Sequence, residues 1–214
     1  VGLGRGEVVL TVIAVVFPGQ GSQVVGMAAD AVKASAEARA VFAEADAVLS
    51  GHGLPAPLSK ICFEGPEEAL KATEIAQPAL LTAGYALYRV ASPVLGRIHL
   101  AAGHSLGEYT ALVIAGAMEF HTALRLVRRR GELMRDAAAA RPGAMAAILN
   151  LSDEQVAALC EAADGVVTPA NFNAPGQVVV SGEPAAVAAV AAAAKAAGGR
   201  AVPLKVSGAF HSPL

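Results

Sequence analysis

The sequence predicts an α/β protein of two lobes: a parallel-sheet lobe of alternating strands and helices, and a smaller lobe of four strands and two helices inserted into it. Three observations predict it. β-Branched apolar runs alternate with Ala-rich helical stretches over residues 1–140. Segments in the order β-α-β-β-α-β fill residues 143–206. Glycine-rich turns follow the strands of the first lobe, at Gly19-Gln20-Gly21-Ser22-Gln23 and Gly103-His104-Ser105-Leu106-Gly107.

Residues 8–17 are the longest strongly apolar run and are rich in Val, which predicts a fully buried parallel strand. The run is about half of the ~20 residues that a spanning helix needs. Arg5 precedes it, but no small-residue cleavage site closes it, so an export signal is not expected. An Ala/Glu-rich helix is expected from about 34 to 49, and a loop over 51–66, where His52, Gly53, Pro55, Pro57, Gly65 and Pro66 cluster. Residues 67–73 form a short helix and 78–92 a longer apolar one. A strand over 98–102 runs into the second glycine turn, and helices follow over 108–117 and 122–140.

In the second lobe, a strand over 144–150 precedes Ser152, an N-cap whose capping box is completed by Gln155, and the helix so opened runs to about 163. Strands over 166–171 and 177–181 flank the turn Asn173-Ala174-Pro175-Gly176. Glu183 starts an Ala-rich helix closed by Gly198-Gly199; Val187 and Val190 give it a helical stripe. A last strand spans 201–206. The order is that of a ferredoxin-like subdomain. The expected organisation is therefore 1–140 for the large lobe, 143–206 for the insert, and 207–214 for the start of the return to the large lobe.

Composition narrows the partners. Of 214 residues, 55% are hydrophobic and 16% charged, which excludes a disordered charged tail. A net charge of −2 offers no footprint for nucleic acid, and no membrane partner is expected. Cys62 and Cys160 give neither a disulfide framework nor metal-ligand spacing, which fits a reducing compartment and a cytoplasmic location.

Gly103-His104-Ser105-Leu106-Gly107 is a G-x-S-x-G elbow in the context that the motif requires, strand before and helix after. Its turn presents Ser105 Oγ at a helix N-terminus, where free N–H groups suit a developing oxyanion. A serine needs a base. His52, His99 and His121 read as structural, and His104 should point away from the attack site. His211 follows the last strand, late in chain order, as the base of α/β serine enzymes does.

Arg130 falls with Leu126, Leu133 and Ala137 on one helical face, while Arg125, Arg128, Arg129, Glu132, Arg135 and Asp136 read as a solvated surface. A guanidinium on an apolar face is costly unless paired, so Arg130 meets either a buried carboxylate of the protein or one from a substrate. The first glycine turn lacks the third glycine of a dinucleotide fingerprint. It can instead donate a backbone N–H to an oxyanion, with Gln20 as the donor. Asn171 and Asn173 read as turn formers.

Taken together, Phe17-Pro18-Gly19-Gln20-Gly21-Ser22-Gln23, Gln77-Pro78-Ala79-Leu80, Gly103-His104-Ser105-Leu106-Gly107-Glu108, Gly143-Ala144-Met145, Asn173-Ala174-Pro175-Gly176-Gln177 and Phe210-His211-Ser212 resemble the malonyl-CoA:acyl carrier protein transacylases of fatty acid synthesis. The acyltransferase domains of polyketide synthases look similar. The resemblance implies an α/β-hydrolase-like large lobe, Ser105 as nucleophile, His211 as general base and acid, and an oxyanion hole of the Gln20 and Leu106 amides. It implies Arg130 as the partner of the malonyl carboxylate, and makes Gln77, Asn171 and Phe210 candidate substrate-pocket residues. Phe210 beside His211 resembles the malonyl-type rather than the methylmalonyl-type pattern. Malonyl-CoA and phosphopantetheinylated acyl carrier protein are the implied substrates, with no cofactor and no metal. Members of the family are longer, and the resemblance implies that the C-terminal part completing the main sheet, with a side chain that orients His211, is missing. The rival readings are a serine hydrolase or thioesterase, and a truncated non-catalytic remnant that binds acyl carrier protein.

Overall fold

In the computed structural model, which describes residues 12–206 and 208–214, the chain is an α/β protein with one parallel and one antiparallel sheet. Residues 8–11 of the expected first strand, and Ser207, lie outside the described residues. The chain divides into two units, which meet in sequence at Gly131 and Glu132.

The first unit is built on strand β1 (Ala14–Phe17), paired in parallel with β2 (Leu100–Gly103), Ala14 opposite Leu100 and Phe17 opposite Gly103. The described part of β1 is not fully buried as the apolar run suggests. Burial alternates along it, and Val16 is 74% exposed. Helix α6 (Gly107–Ile114) packs on these strands, and in a two-stranded pair the outward-pointing side chains of alternate residues gain no second cover.

Helices α1 (Ala29–Ala34) and α2 (Ala36–Leu49) replace the single helix expected over 34–49, because Ser35 turns extended and accepts the Ala38 N–H as an N-cap. Part of the expected 51–66 loop is helix α3 (Leu58–Glu64). Its Leu58, Ile61 and Cys62 fall at i, i+3 and i+4 and are buried. After α4 (Glu67–Lys71), helix α5 (Thr73–Leu95) starts five residues earlier than the sequence pattern indicates and continues through Pro78. Pro78 has no N–H to give the carbonyl of Glu74 one turn back, and Arg128 Nη1 donates to that carbonyl instead, at 2.8 Å.

Helix α7 (Phe120–Ala140) corrects the predicted apolar face. Its buried stripe is Phe120, Ala123, Leu124 and Val127, continued by Gly131, whereas Leu126 and Leu133 are 46% and 51% exposed. Arg128, assigned from sequence to the solvated surface, is buried; it donates to the carbonyls of Glu74 and of His52. The polar tip masked the register: a stripe read through the leucines alone lies about 100° away from the one that packs.

The second unit holds β3 (Ala144–Leu149), α8 (Asp153–Glu161), β4 (Val167–Ala174), β5 (Gln177–Gly182), α9 (Pro184–Ala196) and β6 (Arg200–Pro203), with strand order β4-β5-β3-β6 and every neighbour antiparallel. Ser152 caps α8 in a capping box with Gln155. Ala146, Ile148, Val178 and Val180 of the central strands pack with Val156, Cys160, Val187 and Val190 of the two helices into one core. β4 is irregular near Asn171 and ends beyond it, at Ala174, and β6 ends at Pro203 instead of reaching 206. Among the described residues, no helix is long and apolar enough to cross a membrane.

Candidate active site

The elbow is a place where only glycine fits. A Cβ on Gly103 would collide with the backbone of Gly107, and one on Gly107 with the Phe17 carbonyl at the end of β1. Both glycines therefore let α6 start hard against the paired strands. Between them Ser105 is held at φ 50, in the left-handed region that a serine enters at a cost. The first bonds of the helix are tight: Gly107 N–H to the His104 carbonyl, Glu108 N–H to that of Ser105, and Tyr109 N–H to that of Leu106. The Leu106 amide takes no part in this ladder, and lies one residue past the serine at the helix's positive end.

Arg130, half-buried on α7, reaches this point. Its Nη2 donates to Ser105 Oγ at 3.0 Å and its Nη1 to Gln77 Oε1 at 2.7 Å, and its guanidinium lies 5.8 Å from the centre of the Tyr109 ring. These partners are two neutral groups and a ring. No carboxylate pairs with Arg130 among the described residues. Gln77 is fully buried on α5, and its Nε2 donates to Thr73 Oγ1 at 3.2 Å. Thr73 Oγ1 in turn donates to Gln20 Oε1 at 2.7 Å.

Gln20 is exposed in the loop that leaves β1. Gly19 beside it is buried, and a Cβ there would lie 2.8 Å from the His104 carbonyl and 3.0 Å from His104 Nδ1, so the loop and the elbow touch at this glycine. Ser22 Oγ donates to the Gly19 carbonyl and the Gly21 N–H to Gln23 Oε1, which fixes the loop's course. The first unit thus brings together Ser105, Leu106, Arg130, Gln77 and, through Thr73, Gln20.

The remaining candidates belong to the second unit. His211 is exposed, at φ 56, in a turn after β6. Ser212 Oγ donates to the Ala209 carbonyl and accepts from the Leu214 N–H, which pins that turn. Ala209 packs on Gly143, where a Cβ would clash with it, and Phe210 is half-buried beside Gly208. Asn171 is half-buried in β4, opposite Val179. Of the other histidines, His99 Nδ1 accepts from the Ile13 N–H and the His52 carbonyl accepts from Arg128.

Two residues of the site had no signal of their own in the sequence, Thr73 and Tyr109. Each lies four residues from a recognised one, Gln77 and Ser105, and so one helical turn away; that spacing is the only cue. Among the described residues, no group of three or more His, Cys, Asp or Glu could hold a metal ion.

Residues 14–214 match the acyl transferase domain family. The chain is 51% identical over 209 residues to the malonyl CoA-acyl carrier protein transacylase of Escherichia coli (strain K12), covering 96% of this chain and 66% of that protein. It is 45% identical over 206 residues to the namesake of Bacillus subtilis (strain 168), covering 94% and 63%. Its fold superposes on the crystal structure of the malonyl CoA-acyl carrier protein transacylase from Clostridium perfringens with a TM-score of 0.87 at 36% identity, over 94% of this chain and 63% of that one. A malonyl-transacylase in complex with its type II PKS acyl-carrier protein gives a TM-score of 0.86 at 46% identity, over 93% and 64%. The chain spans slightly under two thirds of the length of these relatives.

Proposed function

Because the chain belongs to the acyl transferase domain family, we propose that it is an acyltransferase moving a malonyl group from malonyl-CoA to the phosphopantetheine thiol of acyl carrier protein, in fatty acid or polyketide synthesis. The observation that carries this reading is Arg130, a half-buried cation within hydrogen-bond distance of Ser105 that has no protein carboxylate among the described residues. A cation so placed suits an acyl group ending in a carboxylate, which a planar guanidinium can bind through two parallel hydrogen bonds.

In this reading Ser105 Oγ attacks the thioester carbonyl while its proton passes to His211. The tetrahedral oxyanion is held by the amides of Gln20 and Leu106, then collapses with release of the CoA thiol, protonated by His211. The carrier thiol attacks the malonyl-serine ester, again through His211, and Ser105 recovers its proton. Both half-reactions share one site, so the kinetics are ping-pong. Gln77 orients Arg130, and Asn171 and Phe210 complete the pocket around the acyl group. No cofactor or metal enters the cycle, and the setting is cytoplasmic.

The same reading makes the first unit an α/β-hydrolase-like lobe over 1–140. The antiparallel unit is a ferredoxin-like insert over 143–206, supported by its strand order β4-β5-β3-β6, and residues 207–214 return toward the large lobe.

Incubation with malonyl-CoA, with and without carrier protein, tests the function. A malonyl adduct at Ser105 that disappears in Ser105→Ala and is chased onto carrier protein is the result expected. Release of free malonate without transfer would show a serine hydrolase instead, and a carrier-binding protein that forms no adduct would show a non-catalytic remnant.

A further inference from the structure

Beyond the groups already placed around the reacting serine, we infer that Tyr109 is a positioning residue: its ring anchors the guanidinium of Arg130 beside Ser105 without neutralising it, and so keeps that cation ready for an acyl group ending in a carboxylate. The inference deepens the transacylase reading and rests on it for the substrate, whereas the contact between ring and cation does not depend on it.

Arg130 is half-buried, and a guanidinium in such a place has to be held by something other than water. A protein carboxylate would hold it but would also cancel the charge that a substrate carboxylate needs. Its described partners are neutral instead: Gln77 Oε1 at 2.7 Å, Ser105 Oγ at 3.0 Å, and the Tyr109 ring, over which its Cζ lies 5.8 Å from the centre. That distance is within the ~6 Å over which a ring quadrupole attracts a cation, an attraction that strengthens as water is excluded. The ring itself is fixed. Tyr109 is half-buried on α6 and packed against the core of the first unit, and its backbone N–H donates to the Leu106 carbonyl at 3.0 Å.

Tyr109 follows Ser105 by four residues, about one helical turn, so Arg130 meets the start of α6 at two points. The two contacts differ in what a substrate does to them. A carboxylate that binds the guanidinium through two parallel hydrogen bonds competes with Ser105 Oγ for N–H groups. The ring face offers no oxygen lone pair and attracts the delocalised charge as a whole, so it stands outside that competition. Tyr109 therefore holds Arg130 beside the elbow in the free and in the loaded site. Loss of the ring loosens the guanidinium, and the cost falls on acyl groups that carry a carboxylate while sparing those that do not.

Tyr109→Phe keeps the ring and Tyr109→Leu keeps an apolar side chain without one. Phenylalanines bearing one, two and three ring fluorines at position 109 keep the shape while draining negative charge from the ring face, and carry the test should leucine pack badly. Transfer from malonyl-CoA and from acetyl-CoA to carrier protein is measured for each, with melting temperature as the check on folding. Tyr109→Phe should match the parent protein. Tyr109→Leu should raise KM for malonyl-CoA roughly fivefold, with kcat and acetyl transfer little changed, and the fluorinated rings should raise it stepwise toward that value. A malonyl KM that ignores the number of fluorines, or an equal rise for acetyl-CoA, overturns the inference. The contact is also read without turnover: fluorination should lower the melting temperature more in the parent background than in Arg130→Met, and equal shifts in both overturn it. If the parent protein transfers no malonyl group, the transacylase reading falls, and the melting-temperature comparison still decides whether the ring holds Arg130.

Discussion

Arg130 Nη2 donates to Ser105 Oγ at 3.0 Å, joining residues 25 apart in sequence across the N-terminus of α6. The hydroxyl that would attack a substrate is thus held by the group proposed to bind that substrate's far end. A carboxylate arriving at Arg130 competes for the same guanidinium edge. Arg130→Ala should lower malonyl transfer on the order of 100-fold, as expected for losing a charge-assisted bidentate contact, while acetyl transfer falls far less. Parallel assays with malonyl-CoA and acetyl-CoA check this; equal losses refute the carboxylate role.

Legibility in the sequence followed what each feature demands of the backbone. The elbow could be read because Gly103 and Gly107 answer to close approach, which is a local requirement written into two positions. Ser152 and Gln155 could be read for the same reason, since a capping box is closed within four residues. Arg130 stood out as a charge among leucines, yet the face assigned to it was wrong: Leu126 and Leu133 are exposed and Arg128 is buried. Which stripe of a helix packs is decided by the neighbour it meets, and nothing in residues 120–140 identifies α5 as that neighbour. Helix α3 and Thr73 were hidden in the same way, the first by flanking Gly and Pro, the second because the expected helices end at 73 and resume at 78, which leaves no helical turn joining Thr73 to Gln77.

The bond from Arg128 to the Glu74 carbonyl replaces one that Pro78 cannot make, and its second bond holds the His52 carbonyl at 3.0 Å. Arg128→Ala removes both bonds together with the packing of a buried guanidinium, at a cost of about 2–4 kcal/mol. Lysine has one nitrogen where the guanidinium spans two acceptors, so Arg128→Lys should recover less than half of the loss. Chemical denaturation monitored by circular dichroism measures it. A change below about 0.5 kcal/mol, the range of ordinary surface substitutions, would contradict the clamp.

Cys62 has no exposed surface, and burial, with the Asp46 carboxylate as a lesser cause, pushes its thiol up to about 12. Burial and the Glu161 carboxylate push Cys160 to about 11. Both are therefore neutral thiols at a pH near 8, and only the thiolate attacks disulfide reagents. Neither should react with a disulfide reagent in the folded protein, and both should react after unfolding; fast labelling of the native protein would contradict their burial. An unfolded thiol ionises near the ordinary value of 9.0, well before the folded ones do. Their contribution to stability is thus intact below that value and is lost as pH rises toward the folded values.

Gly131 follows Arg130 on α7 and faces the first turn of α5. A Cβ there would lie 2.5 Å from the Glu74 Cα, 2.8 Å from the Thr73 carbonyl oxygen and 3.0 Å from the Glu74 nitrogen. All three are backbone atoms, so nothing can swing aside, and an alanine must push the two helices apart. Intrinsic propensity pulls the other way, since alanine in a helix interior is favoured over glycine by about 1 kcal/mol. Overpacking against a backbone costs typically 1–3 kcal/mol, so the net effect of Gly131→Ala is destabilising. Separation of the helices also lengthens the Arg130–Gln77 contact, which begins at 2.7 Å, because its two ends stand on α7 and α5. Malonyl transfer should therefore fall more than acetyl transfer in Gly131→Ala, on top of a lower melting temperature. A variant that melts higher than the parent would show that propensity wins, and that the helices are not in backbone contact at this point.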